Sequence, residues 1–213
     1  VLEEMNEASR VELLAELEGE RAADVLEEMD PDDAADLLRE VGQEKAQALL
    51  ALMEPEDAEG VQRLMHYEDY SAGGMMTTEP IVLTADSTVA EALSRVRLSE
   101  VAPGLASQVF VCRQPLETPT GRLMGVVYIQ RLLREPPATL LGSILDSDIA
   151  PLSAETTLSE VSSYLASYNL LAVPIVDANE RLLGVVTVDD VLDHLLPENW
   201  RQDETKRKES ESR

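Results

Sequence analysis

Cysteine is nearly missing from this chain: Cys112 is the one thiol in 213 residues. A single thiol excludes an intramolecular disulfide framework and any cysteine-based zinc cluster, and it fits a cytoplasmic setting. Aromatic side chains are scarce too, at 3% of residues. A core therefore has to come from Leu, Val, Ala and Met, which suits helices and short buried strands better than an aromatic-rich sandwich. No run approaches the ~20 apolar residues that span a bilayer. Residues 1–20 are acidic and helical in pattern rather than basic and then apolar, so they do not read as a signal peptide. The chain opens on Val1 and not on Met, which points to a piece of a longer gene product. Histidine is limited to His66 and His194. With no glycine-rich phosphate loop, paired cysteine motif or Ser-His-Asp arrangement legible, an enzyme is not expected.

Basic charge is the next shortage. Against 42 acidic residues stand 17 basic ones, a net charge of −25, which excludes binding to nucleic acid or an anionic membrane face by general electrostatics. Residues 1–70 hold 22 acidic and 5 basic residues, and residues 71–213 hold 20 and 12. Self-repulsion is thus concentrated in the first third. Cations bound at acidic clusters would relieve it; the plainer reading is a solvated, salt-adapted surface.

What the first third does contain is a repeat. Ala22, Ala34, Ala46 and Ala58 fall 12 residues apart, each three before an apolar residue: Val25, Leu37, Leu49 and Val61. A closing apolar position keeps the same step at Leu17, Met29, Val41, Met53 and Met65. Between copies, Asp30-Pro31-Asp32-Asp33 and Glu54-Pro55-Glu56-Asp57 suit helix starts, because proline is tolerated in the first turn and acids favour the N-terminal end of the dipole. Each unit is a helix of two to three turns that cannot bury its apolar face alone. The units are expected to stack as an all-α superhelical repeat domain.

A longer repeat follows. Residues 83–91 (Leu-Thr-Ala-Asp-Ser-Thr-Val-Ala-Glu) match residues 152–160 (Leu-Ser-Ala-Glu-Thr-Thr-Leu-Ser-Glu) at an offset of 69, and Leu123-Met124-Gly125-Val126-Val127 matches Leu182-Leu183-Gly184-Val185-Val186 at 59. The first copy therefore carries about ten extra residues, placed most simply in 101–108 and 113–120. Each copy reads as a Thr-capped helix (88–96; 157–166), a buried strand (108–112; 172–176), a turn, a second strand (123–128; 182–187) and a closing helix. Two β-α-β-β-α units make a paired α/β module, so the whole chain is expected to be α followed by α/β. Gly73-Gly74 reads as a hinge between the two parts.

The paired units resemble a tandem pair of CBS domains. The helical repeat, followed by Tyr67-Glu68-Asp69-Tyr70-Ser71-Ala72-Gly73-Gly74-Met75-Met76-Thr77, is similar to the N domain and junction of the MgtE magnesium transporter family. The stretch from Gly184 to Asp193 (GVVTVDDVLD) extends the match to about residue 196. The resemblance implies an N domain over 1–70, CBS domains over 71–136 and 137–198, and a polar tail over 199–213, expected to be flexible. It further implies a cytosolic magnesium sensor, a homodimer through its CBS pair, that closes a membrane pore in the same or a separate chain when magnesium is high. If a pore follows, the module lies on the cytosolic face of the membrane. The break at Leu196-Pro197 and the tail with Lys206-Arg207-Lys208 depart from the family pattern. They leave a cut fragment or a soluble relative without the pore, and the tail leans toward the latter.

Two candidate sites follow. Asp32 and Asp36 are four apart on one helix face, and Asp190 and Asp193 three apart on another, with Glu198 just beyond. Mg²⁺ keeps most of its waters and takes one or two carboxylates, so acids on two facing helices suit it. By resemblance, these stretches are where the family's N domain and CBS pair share magnesium; the plainer reading is solvated helix faces. In CBS domains a Thr followed three residues later by Asp holds an adenine nucleotide, which here points to Thr187 and Asp190 as a site for ATP or AMP. A helix cap is the plainer reading of that pair. The first copy has Tyr128 and Arg131 there, so a second equal site is not expected. The alternative function is a soluble CBS protein that senses adenine nucleotide and regulates a separate partner. Asn169 stands where family sensors carry an acid, and Arg201 and Gln202 replace acids further on.

Overall fold

The computed structural model describes residues 13, 14, 17, 19–99 and 101–196, and it divides into two compact units. The first holds the described residues up to Asp69 together with those from Leu192 on, the second the described residues from Tyr70 to Val191.

In the first unit the 12-residue repeat becomes helices α1 (Gly19–Glu27), α2 (Pro31–Glu40), α3 (Gln43–Leu50) and α4 (Pro55–Leu64). Pro31 and Pro55 open α2 and α4 with acids in the first turn, where the missing N–H costs nothing and the dipole favours negative charge. Before α3 the chain turns at Gly42, whose φ of 88° is one that side-chain-bearing residues rarely adopt. The four repeat alanines are all buried, and their small side chains let the helices approach as a stack, α1 on α3 and α2 on α4. Leu37, Leu49 and Val61 are buried as the repeat predicts. In the first copy Leu26 takes the place expected of Val25, which is half-buried.

The second unit holds the two α/β repeats. After a short helix α5 (Ala72–Met75) come β1 (Val82–Leu83), α6 (Val89–Val96), α7 (Pro103–Ala106), β2 (Gln108–Cys112), β3 (Leu123–Tyr128) and α8 (Ile129–Leu132). The second copy is β4 (Leu152–Ser153), α9 (Leu158–Tyr168), β5 (Ala172–Val176), β6 (Leu182–Thr187) and α10 (Val188–Leu195), whose last turn, from Leu192, belongs to the first unit. Each copy builds a three-stranded sheet in which the first strand runs parallel and the third antiparallel to the second. The same register shift recurs, between Val111 and Cys112 and between Ile175 and Val176. The extra residues of the first copy are α7 and the loop from Arg113 to Gly121. Thr88 and Thr157 cap α6 and α9 through their hydroxyls, the latter in a full capping box with Glu160.

The sheets exchange their leading segments. Thr77, ahead of β1, pairs with Val185 of the other sheet, and Asp146, ahead of β4, pairs with Val126. One hydrophobic cluster draws on both copies: Leu105, Phe110, Cys112 and Val126 pack with Ala172, Leu182 and Val185. The two repeats share a core and fold as one body.

Gly73-Gly74 is not a hinge, which corrects the expectation from sequence. Both glycines are buried in α5, Ser71 accepts the N–H of Gly74 (3.2 Å), and the N–H groups of Ala72 and Gly73 donate to Thr156 (2.7 Å) and Ala154 (2.8 Å). These bonds fix the segment to the second repeat. The boundary between the compact units falls just before it, between Asp69 and Tyr70.

Candidate functional site

Helix α2 carries Asp32, Asp33 and Asp36, all half-buried. Asp36 is held on two sides. Arg39, one turn on, places Nη1 2.5 Å from its Oδ1, and Nε2 of His194, in the last turn of α10, lies 4.0 Å from its Oδ2. Burial pushes the Asp36 carboxyl up to about 6; the Arg39 guanidinium and His194 pull the other way, and Asp33 adds to the rise. Desolvation thus outweighs two neighbouring nitrogen bases. This is a carboxylate for which an additional positive charge would be favourable.

Arg39 also reaches the end of the helical stack. Its Nη2 donates to the carbonyls of Leu64 (2.8 Å) and Tyr67 (3.4 Å), and its Nε lies 3.0 Å from Oδ1 of Asp69. The Arg39 side chain is 15% exposed. Neither Arg39 nor His194 stands in any of the patterns picked out from the sequence. The i,i+3 spacing of Asp36 and Arg39 was the one available signal.

The residue of α10 that stands against Asp36 is His194, next to the predicted Asp193. Asp193 is exposed and directly precedes His194, about 100° further back around α10. Asp190 lies one helical turn before His194, on the same side of α10. Glu198 falls outside the described residues. Among the described residues no group of three or more His, Cys, Asp or Glu gathers into a metal cluster. Magnesium takes one or two carboxylates and keeps its waters, so a pair of acids on one helix is enough in number. Asp32 and Asp36 on α2 are one pair of carboxylates that could hold it, and Asp190 and Asp193 on α10 another.

Thr187 and Asp190 cap α10 reciprocally. The Thr187 N–H donates to Oδ2 of Asp190 at 2.8 Å, and the Asp190 N–H reaches Oγ1 of Thr187 at 3.5 Å. Thr187 is 3% exposed, and α7 lies against it: a β-carbon on Gly104 would stand 3.2 Å from Cβ of Thr187 and 2.8 Å from Oδ1 of Asp189. Both groups expected to meet a nucleotide therefore serve the helix start in this arrangement. At the matching start of α8, Tyr128 makes no side-chain cap and Arg131 pairs with Glu135 (2.8 Å). Asn169 ends α9 in the left-handed conformation (φ 53°), a position that asparagine tolerates better than most residues. Cys112 is buried with its thiol pushed up to about 11, so it is not a thiolate at neutral pH.

The chain matches the family model of the MgtE intracellular N domain over residues 1–70 and that of the CBS domain over 72–137 and 141–197. It is 33% identical over 129 residues to the magnesium transporter MgtE of Thermus thermophilus, which covers 61% of this chain and 28% of that protein. The chain therefore spans less than a third of that relative's length. Among solved structures it is similar to the soluble part of a magnesium transporter (TM-score 0.77, 33% identity, covering 85% of this chain and 69% of that one). It is also similar to the cytosolic domain of the Mg²⁺ channel MgtE in complex with ATP (TM-score 0.72, 31% identity, covering 88% and 80%).

Proposed function

The chain belongs to the MgtE magnesium transporter family, as an intracellular N domain followed by a pair of CBS domains, and we infer that it is a cytosolic, non-catalytic regulatory module that responds to magnesium. The observation that supports this most directly is the approach of His194 to Asp36, 4.0 Å apart. It sets the acidic face of α2 beside the last turn of α10, where Asp193 also stands. With 22 acidic residues against 5 basic ones, residues 1–70 repel other acidic surfaces. A divalent cation shared between the two acidic helices would supply the charge that favours a docked N domain. The shift in population is set by how much better the docked arrangement binds the ion than the undocked one.

The docked module is proposed to work as a homodimer through its CBS pair and to gate a pore in the same or a separate chain. Calorimetric titration of the protein with MgCl₂ tests the reading. Saturable binding that Asp36→Asn weakens supports it, and heats no different from those of matched NaCl would overturn it.

A second reading concerns nucleotide. The solved MgtE cytosolic domain in complex with ATP favours it, as does the Thr187–Asp190 pair at the start of α10. A carboxylate can accept from both ribose hydroxyls, and a threonine hydroxyl beside a helix N-terminus can donate to phosphate. For ATP or AMP to use these groups, the cap would have to open and α7 would have to give way at Gly104. The test is whether ATP raises the melting temperature.

A further inference from the structure

Arg39 ties two parts of the first unit with one side chain. At one end is Asp36, the half-buried acid at the centre of the magnesium reading; at the other are the carbonyls of Leu64 and Tyr67 and the carboxylate of Asp69. The second set lies where α4 ends and the chain runs to the boundary of the compact unit at Asp69. The geometry leaves little freedom. Nη1 sits on Oδ1 of Asp36, while Nη2 and Nε are committed to the exit segment, so the planar fork cannot leave one end without disturbing the other. A divalent ion on the Asp36 carboxylate would stand next to a guanidinium of like charge, in a setting shielded enough for that repulsion to count.

We propose that Arg39 is a positioning residue that acts as a tethered counter-cation for Asp36. It holds the carboxylate when magnesium is low, raises the magnesium concentration needed to displace it, and passes that displacement to residues 64–69. The proposal rests on the reading of Asp36 as a magnesium ligand. It differs from a purely structural clip in one respect: a clip, when cut, loosens the unit and leaves ion binding unchanged or weaker. A competing cation, when removed, makes ion binding tighter.

The experiment is a calorimetric titration of the whole chain with MgCl₂ at constant ionic strength, for the wild type, Arg39→Gln, Arg39→Lys, Asp36→Asn and the charge-matched control Arg63→Gln. Arg39→Gln is expected to bind magnesium about tenfold more tightly, the scale of a neighbouring charge removed in a partly screened site. Arg39→Lys, which keeps the charge, should stay near the wild type, and Arg63→Gln should change little. Hydrogen exchange of the wild type adds a readout that needs no variant: magnesium should speed exchange of the His66 and Tyr67 amides, which donate to Arg63 and Leu64. Arg39→Gln binding no tighter than Arg63→Gln, or exchange at His66 and Tyr67 unmoved by magnesium, would overturn the role of Arg39 alone, provided Asp36→Asn still weakens binding. Absence of magnesium binding in the wild type would overturn the reading of Asp36 as well.

Discussion

A β-carbon on Gly184 would lie 2.4 Å from the carbonyl oxygen of Thr77, while the next residue, Val185, exchanges both backbone hydrogen bonds with Thr77 at 3.0 Å. The other repeat does the same with Gly125 and Asp146, also at 2.4 Å, and Val126 bonds to Asp146 in both directions. Each sheet is thus completed by the segment that leads into the other, and glycine is required because backbone passes over backbone.

Gly184→Ala should therefore destabilise the second unit by about 1–3 kcal/mol, the usual cost of overpacking, or more because the obstacle is a carbonyl and not a side-chain end. Gly125→Ala should behave alike. Urea unfolding checks both: a lowered midpoint is expected, and an unchanged midpoint would mean that the crossed pairing is not made.

Much of this fold was legible locally. Residues 108–112, 123–128, 172–176 and 182–187 are short apolar runs bounded by turns, and all four strands stand where they were read. The alanine repeat gave the stacked helices because a small residue every 12 positions marks close helix approach. What was hidden is long-range. Nothing in Gly73-Gly74 says that its amides are taken by Thr156 and Ala154, so two adjacent glycines read as a hinge when they are a buried turn. The site divides the same way. Asp36 was legible as one of a pair of acids four apart, but its approach to His194 joins residues 158 positions apart and leaves no periodic trace. Thr187 and Asp190 read equally as a cap and as a ribose clamp, because three-residue spacing serves both.

The raised Asp36 pKa gives a pH dependence with a definite sign. The folded protein holds this proton more tightly than the unfolded chain, whose ordinary value is 3.8 against about 6 in the fold. Stability contributed at this site is therefore present below pH 3.8 and lost as pH rises through about 6. In chelator, Asp36→Asn should flatten that part of the pH profile and leave the first unit more stable than the wild type at pH 7. Thermal melts across pH 4–7 measure it; a wild-type profile unchanged by the substitution would contradict the assigned burial.

Capping and nucleotide binding at Thr187 and Asp190 separate by substitution. Asp190→Ala should cost about 1 kcal/mol through the lost cap, with or without ligand. If ATP or AMP binds there, nucleotide at about 100 times its dissociation constant should stabilise the wild type by roughly 2.7 kcal/mol and the variant not at all. Equal nucleotide shifts in both would place the ligand elsewhere.

Leu192, Leu195 and Leu196, at the end of α10, are 47%, 56% and 41% exposed. Three large apolar side chains in five residues are expected to be covered by a second copy. Light scattering at micromolar concentration should give a dimer mass, and Leu195→Glu should shift it toward monomer. A monomeric wild type would contradict the dimer.

Magnesium is expected to act at Asp36 and not merely as salt. Screening weakens repulsion between all exposed charges within a Debye length, about 8 Å at 0.15 M ionic strength. Site binding needs carboxylate oxygens at about 2.0–2.1 Å from the ion. The direct measurement is the radius of gyration by small-angle scattering in millimolar MgCl₂ and in NaCl of matched ionic strength, for the wild type and Asp36→Asn. Magnesium is expected to compact the wild type beyond the sodium control, and Asp36→Asn to lose most of the difference. Equal radii in the two salts, with the variant indistinguishable from the wild type, would contradict it.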